Sequence, residues 1–363
     1  MNAATDPQAP SSGLRVAAAG FVVAWCVVAM FPIAWIAIMS FKEPVDAFAP
    51  SMLDVVVGPR TRAAGKGLPL LDLLAVGGLV AALVWFARTR RPGAIAVAVG
   101  MIGVLTVVRL PESVFGPLAA PLVGFTTEHY AAVWIRNAFH RNFINSMMIT
   151  AGVVAISLTV GTLAGYALAR SQSRLAFWIL IAALIFRAMP HSVLVAGYLP
   201  WFINSAEILA PILGDAAPTL YGKPFAVIVV LVSINQPFTI WLLRSFFRNI
   251  PRDLDEAARL DGCTSFQAFR YVIVPIMWPG VITAGLFSFL VGYNDYLVTS
   301  LLLDATNQTM VPAISSYFNS ETTMRDQVEA VAAAVSIAAP LILLVLVFQR
   351  QIVAGLTDGA TKG

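Results

Sequence analysis

Apolar stretches about as long as a bilayer-crossing helix recur along most of this chain, and they limit what it can fold into. At 1.5 Å per residue, roughly 20 apolar residues span a hydrocarbon layer with every backbone hydrogen bond satisfied inside the helix. Eight candidates stand out, at about residues 16–40, 68–87, 93–110, 143–169, 175–199, 224–246, 277–302 and 328–349. The composition agrees: 59% of the 363 residues are hydrophobic and only 12% are charged, about half the charged share of a soluble domain. The fold class read from this pattern is all-α, a polytopic membrane protein of about eight transmembrane helices.

The short polar links carry a sidedness signal. Arg15, the Arg88–Arg91 turn, Arg170 with Arg174, the group from Arg244 to Arg270, and Arg350 with Lys362 all fall on one side. An excess of Lys and Arg marks the cytoplasmic side, which places both termini inside. Arg60, Arg62 and Lys66 fall on the opposite side and run against this trend. The motif Ala47-Phe48-Ala49 mimics a signal-peptidase site, but the apolar run before it is too long for a signal core and reads as a retained span. The expected organisation is a disordered cytoplasmic tail (1–15), a first core span (16–40), external loops carrying an additional hairpin at about 68–110 (41–142), the main helical core (143–349) and a cytoplasmic C-terminal tail (350–363).

Residues 246 to 275, FFRNIPRDLDEAARLDGCTSFQAFRYVIVP, form a polar segment between two apolar stretches. Pro251 suits a first helical turn, and Asp253, Asp255 and Glu256 follow where the helix dipole favours acids. Gly262 is placed to stop that helix with positive φ. Thr264 with Gln267 spells a capping box for a second helix. Leu254, Ala257 and Ala258 are read as one face, with Arg252, Asp255, Glu256 and Arg259 around the rest. The alanines leave room for another protein to approach the backbone.

Glu256-Ala257-Ala258, Gly262, Val272 and Val274-Pro275 resemble the EAA loop of bacterial ABC importer permeases, with Val at two positions where the usual form has Ile and Leu. Asn145-Ser146, Gly165-Tyr166-Ala167-Leu168-Ala169-Arg170, Trp241-Leu242-Leu243-Arg244-Ser245-Phe246-Phe247 and the C-terminal segment from Gly355 resemble the maltose-type, MalG-like carbohydrate permeases. The resemblance covers residues 140 to 363 and the first span. It implies a six-helix type I importer core in the bacterial inner membrane, with 68–110 as an addition. It further implies a second homologous permease, an ATPase subunit dimer holding ATP and Mg, an external solute-binding protein and surrounding lipid. Glu256, Ala257, Ala258, Asp261 and Gly262 would couple to the ATPase, and Gly355, Gly359, Lys362 and Gly363 in the tail would contact it. Nothing implies a nucleic-acid partner.

The residues give an enzyme reading nothing to stand on. Gly65-Lys66-Gly67 and Gly222-Lys223-Pro224 lack the spacing and the Ser or Thr of an ATP-binding loop. Three histidines and two cysteines show no metal-ligand spacing. No cofactor is expected in this chain. Polar groups at membrane depth are costly and mark functional candidates. Arg187, Asn235, Gln236, Asn294 and Asp295 are the candidates for a polar translocation path, with Arg187 expected to pair with Asp295. A stand-alone carrier using Arg187 and Asp295 for ion coupling is the alternative these groups permit. A membrane scaffold without transport is a third reading. A stand-alone carrier needs neither the polar loop nor the tail, and the absence of a polar path would favour the scaffold.

Overall fold

The computed structural model describes residues 12–69, 77, 78, 81, 85, 121–318 and 322–360. The hairpin expected at 68–110 lies almost wholly outside the described residues, as do residues 1–11 and 361–363. Contacts divide the chain into two compact units, one drawn from residues 1–136 and 317–335, the other from 137–316 and 336–363.

The first unit opens with α1 (Ser12–Met39), of which Val16–Met39 is long and apolar enough to cross a membrane. Its large side chains, among them Phe21 and Trp25, are exposed. Three short helices follow, α2 (Pro44–Ala47), α3 (Met52–Val57) and α4 (Pro59–Ala63). Strand β1 (Gly67–Pro69) pairs antiparallel with β2 (Pro121–Gly124), and α5 (Glu128–Ala131) runs into a π-helical turn. Polar contacts organise this small unit. The buried Lys42 ammonium donates to the carbonyls of Val56 and Gly124. Its pKa is pulled below the usual lysine value by burial, against the opposing pull of Asp46. The Asp46 carboxylate accepts from the N–H groups of Arg60 and Thr61 and from the Thr61 hydroxyl. Lys66 lies 2.7 Å from both Glu43 and Glu128, and Arg62 donates to the carbonyl of Pro121. These partners give a local reason for basic residues in a stretch where the charge pattern does not expect them.

The second unit is a helical bundle. It comprises α6 (Phe139–Arg170), α7 (Arg174–Arg187), α8 (His191–Ile203), α9 (Ser205–Leu213), α10 (Pro224–Arg248), α11 (Asp253–Leu260), α12 (Ser265–Ala268), α13 (Trp278–Tyr293), α14 (Leu297–Leu302) and α15 (Met310–Ser315). The last helix, α16 (Met324–Ala360), contributes its first turns to the other unit and the remainder to this one. Helices α6 and α10 pack along their lengths, and α13 packs against both. Gly161 and Gly165, a G-x-x-x-G pair, set the α6–α10 distance. A Cβ on Gly161 would lie 2.7 Å from the methyl of Thr239, and one on Gly165 would lie 3.1 Å from the backbone nitrogen of Arg244. The pair therefore serves packing inside the chain.

Two expected spans are broken. Helices α7 and α8 meet at 98° around Pro190, where 175–199 reads as a single helix from hydropathy. Pro190 has no N–H to continue the first helix, which ends at Arg187. The stretch read as 277–302 stops at Tyr293, because Asn294 and Asp295 interrupt the helix and Asp295 accepts from the N–H of Thr299 in α14. Ser265–Ile276 and Trp278–Tyr293, bent by 78° to each other, are long and apolar enough only as a pair. Among the described residues, four helices are long and apolar enough to cross alone, or up to six if each bent pair is one span. The segments between the apolar runs at 200–223 and 303–327 carry α9 and α15. The tail read as 350–363 is helical to Ala360 as the end of α16.

Two outcomes test this packing. Gly161→Leu should overfill the α6–α10 contact and lower the yield of folded protein in detergent, at a cost of about 1–3 kcal/mol. Lys42→Met should strand the buried Gly124 carbonyl and the partly buried one of Val56, at about 1–3 kcal/mol. Faster proteolysis between residues 40 and 66, with the bundle intact, would register that loss.

Candidate functional site

The polar segment after α10 forms the site. Helix α11 begins two residues after Pro251, with Asp253, Asp255 and Glu256 in its first turn. It ends in a Schellman motif: the N–H of Gly262 donates to the carbonyl of Arg259, and that of Cys263 to Ala258. Gly262 has φ of +91°, the conformation expected of a helix stop. Thr264 and Gln267 complete a reciprocal capping box that starts α12. Cys26 and Cys263 are both free thiols. Among the described residues, no group of three or more His, Cys, Asp or Glu side chains is placed to hold a metal ion.

The faces of α11 differ from the sequence reading in two respects. Asp255 and Ala258 point inward and are the helix's only buried residues. Leu254, Glu256, Ala257 and Leu260 are exposed, Leu260 by 88%, as are Asp261 and Gly262. So Ala258 does not share the outer face of Leu254 and Ala257, and Asp255 is not a surface charge. The reason lies 85 residues upstream. Arg170, the last residue of α6, lies 2.6 Å from one Asp255 oxygen. The Tyr166 hydroxyl donates to the other at 2.6 Å. Arg170 also donates to the carbonyls of Phe247 and Ile250, where α10 turns toward α11. Tyr166 and Arg170 are four residues apart, hence on one helix face, and that spacing is the sequence signal that could have marked them. Beyond α11, Phe266 presents a further 61%-exposed ring.

The path candidates do not assemble as expected. Asn235 is fully buried, with its amide nitrogen within 2.8–3.2 Å of the hydroxyls of Ser288, Thr239 and Ser157. It clasps α6, α10 and α13 together and lines no open route in this chain. Gln236 is half-buried and reaches the carbonyl of Ser157. It edges a groove of about 390 Å³ lined by Leu180, Ala183 and Ile240 among others. Arg187 does not pair with Asp295. Its guanidinium lies 4.7 Å from the Phe238 ring centre, while Asp295 caps α14. The bend at Pro190 ends α7 at Arg187, and the break after Tyr293 commits Asp295 to a cap. Asn294 is exposed. Of the tail residues, Gly355 and Gly359 lie within α16, and Lys362 and Gly363 lie outside the described residues. The flank residues Asn145 and Ser146, together with Asn142, hold the segment before α15: both amides donate to the carbonyl of Gln308, and the Ser146 hydroxyl accepts from the N–H of Met310.

Residues 157–358 match the family described as binding-protein-dependent transport system inner membrane component. The chain belongs to this family. The matched region includes the whole of α10 to α15 and the turn at Gly262. Among relatives, the chain is 34% identical to the trehalose transport system permease protein SugB of Mycobacterium tuberculosis, over 66% of this chain and 82% of that one. It is 30% identical to the trehalose/maltose transport system permease protein MalG of Thermococcus litoralis, over 68% of this chain and 85% of that one. Among solved structures, it superposes with a TM-score of 0.55 and 18% identity on a bacterial ABC transporter involved in the import of the acidic polysaccharide alginate. That match covers 94% of this chain and 98% of the other, and it bears on the fold alone. Like other members of its family, the protein is a multi-pass permease subunit of the inner membrane and not an enzyme.

Replacing Gly262 should test the turn independently of any partner. No atom lies within 4 Å of a Cβ added there, so the penalty comes from the backbone and not from a clash. Gly262→Val should cost about 1–2 kcal/mol through its positive φ. Gly262→Asn, which tolerates that conformation, should cost less. Equal losses in the two variants, read by thermal unfolding of the purified protein, would contradict the assignment.

Proposed function

We propose that this chain is a transmembrane subunit of an ATP-driven importer for a carbohydrate or related polyhydroxylated solute, delivered by an external binding protein. The observation that carries the reading is the outer surface of α11 and its turn. Leu254, Ala257, Leu260, Asp261 and Gly262 form an exposed, partly apolar surface on a helix that is held from behind and capped at its end. A soluble chain segment gains nothing by exposing Leu260, whereas a helix that inserts into a groove on another subunit does. That subunit is the ATPase, which holds ATP and Mg, and Glu256, Ala257, Ala258, Asp261 and Gly262 form the coupling segment. Ala258 serves it from the inner side, letting α11 lie close to the bundle. The tail residues Gly355, Gly359, Lys362 and Gly363 contact the same subunit in this reading.

The sugars in the names of both relatives support the substrate class. The exposed apolar length of α1 is suited to lipid and to a second permease subunit. Arg187, Gln236, Asn294 and Asp295 remain the groups of this chain that would face a path completed by that subunit. Asn235 acts behind them by holding the bundle. In this arrangement both termini and residues 249–275 are cytoplasmic, and the first unit's short helices and strands are external.

Ala257→Trp tests the docking. Ala257 is exposed in this chain, so a large ring there should leave folding unchanged. In the assembled transporter it should lower ATPase capture and transport by at least about tenfold, the scale of ~1.4 kcal/mol lost at a contact. Transport at the unmodified rate through Ala257→Trp would remove α11 from the ATPase interface.

A further inference from the structure

Two turns of α11 cannot hold themselves in place, since a helix this short is unstable alone. Its inner face buries only Asp255 and Ala258, and an alanine supplies little apolar area. The orientation of the outer face therefore depends on polar ties. Arg170 gathers three of them at one point: the Asp255 carboxylate at 2.6 Å, and the carbonyls of Phe247 at 3.4 Å and Ile250 at 3.1 Å. The end of α6, the end of α10 and the start of α11 thus meet on a single guanidinium. Tyr166 adds its hydroxyl to Asp255, and its ring packs against Phe247 and Phe269, with centroids 5.6 and 4.8 Å away. Arg252 returns a contact to the carbonyl of Arg170 at 3.4 Å. Both partners of the ion pair are largely shielded, with side chains 17% and 9% exposed, so solvent screens it little.

We propose that Arg170, Asp255 and Tyr166 are positioning residues that lock α11 to the end of α6, so that motion imposed on the outer face of α11 is passed to α6. This rests on the importer reading above. A planar guanidinium suits the task because its fork can hold a carboxylate and carbonyls at once, which a lysine ammonium cannot do in the same geometry. The lock touches neither solute nor nucleotide. Its loss should show as slippage, with ATP consumed and solute not moved.

The test uses the complete transporter in proteoliposomes, with its ATPase and binding protein, and reads solute imported per ATP hydrolysed. Asp255→Asn keeps the shape and the Tyr166 contact but removes the charge. It should lower that ratio by about tenfold while the ATPase stays bound. Arg170→Lys should fall similarly, and Tyr166→Phe by less. The exchange Arg170→Asp with Asp255→Arg should recover part of the ratio relative to either single change, because the pair is re-formed in reverse. As a readout free of partners, trypsin should cut after Arg259 faster in Asp255→Asn membranes than in wild type. An unchanged ratio in Asp255→Asn with the ATPase bound, or a double exchange no better than its singles, overturns the lock. A wild-type chain that captures no ATPase overturns the importer reading itself, before any variant is compared.

Discussion

The close approach of α6 and α10 is the constraint from which the rest of the bundle follows. Lipid tails are as apolar as leucine, so burial alone does not drive two helices together in a bilayer, and fit has to do it. Gly161 and Gly165 remove two side chains from the contact, and Thr239, Leu243 and the backbone at Arg244 fill the space. With that distance set, Asn235 can reach hydroxyls on α6 and α13 together, and Leu243 and Phe247 can bury against Phe269 and Ile273. The same registration delivers Arg170 to the end of α10. A bundle held at larger spacing could make none of these contacts.

Polar groups inside the bundle divide into two kinds. Asn235, Ser157, Thr239 and Ser288 are sealed, with the Asn235 amide nitrogen set among the three hydroxyls. Interhelical bonds of this sort contribute about 0.6 kcal/mol each on average, so they specify which faces meet more than they add stability. Arg187 and Asn294 reach the surface of this chain and spend less of their bonding capacity on it. Depth along the sequence could not separate the two kinds. Their neighbours on other helices do.

Much of this was legible in the sequence where the signal is local. The Gly262 stop, the Thr264–Gln267 box and the acidic first turn of α11 depend on residues a few positions apart, and all three are present. The apolar runs marked the long helices for the same reason. What escaped was set by contacts distant in sequence. Asp255 reads as a surface acid until Arg170 is brought beneath it. Residues 175–199 read as one span because Met189 and Pro190 hardly lower the hydropathy, although a proline at that place ends one helix and turns the next by 98°. An Arg187–Asp295 pair fits the position of each residue along its apolar run, and that position ignores how each residue's own helix ends.

The turn at 258–267 has a further property. Its Schellman motif and its capping box pair, within ten residues, the N–H groups of Gly262, Cys263, Thr264 and Gln267, which a sharp reversal usually leaves open. A protein surface built this way asks fewer hydrogen bonds of whatever it touches. Separation then strands fewer backbone donors on this side, and more of the contact rests on side-chain fit. An attachment of that kind can be released and remade repeatedly with little hysteresis, and its strength can be tuned one side chain at a time while the shape of the turn stays fixed.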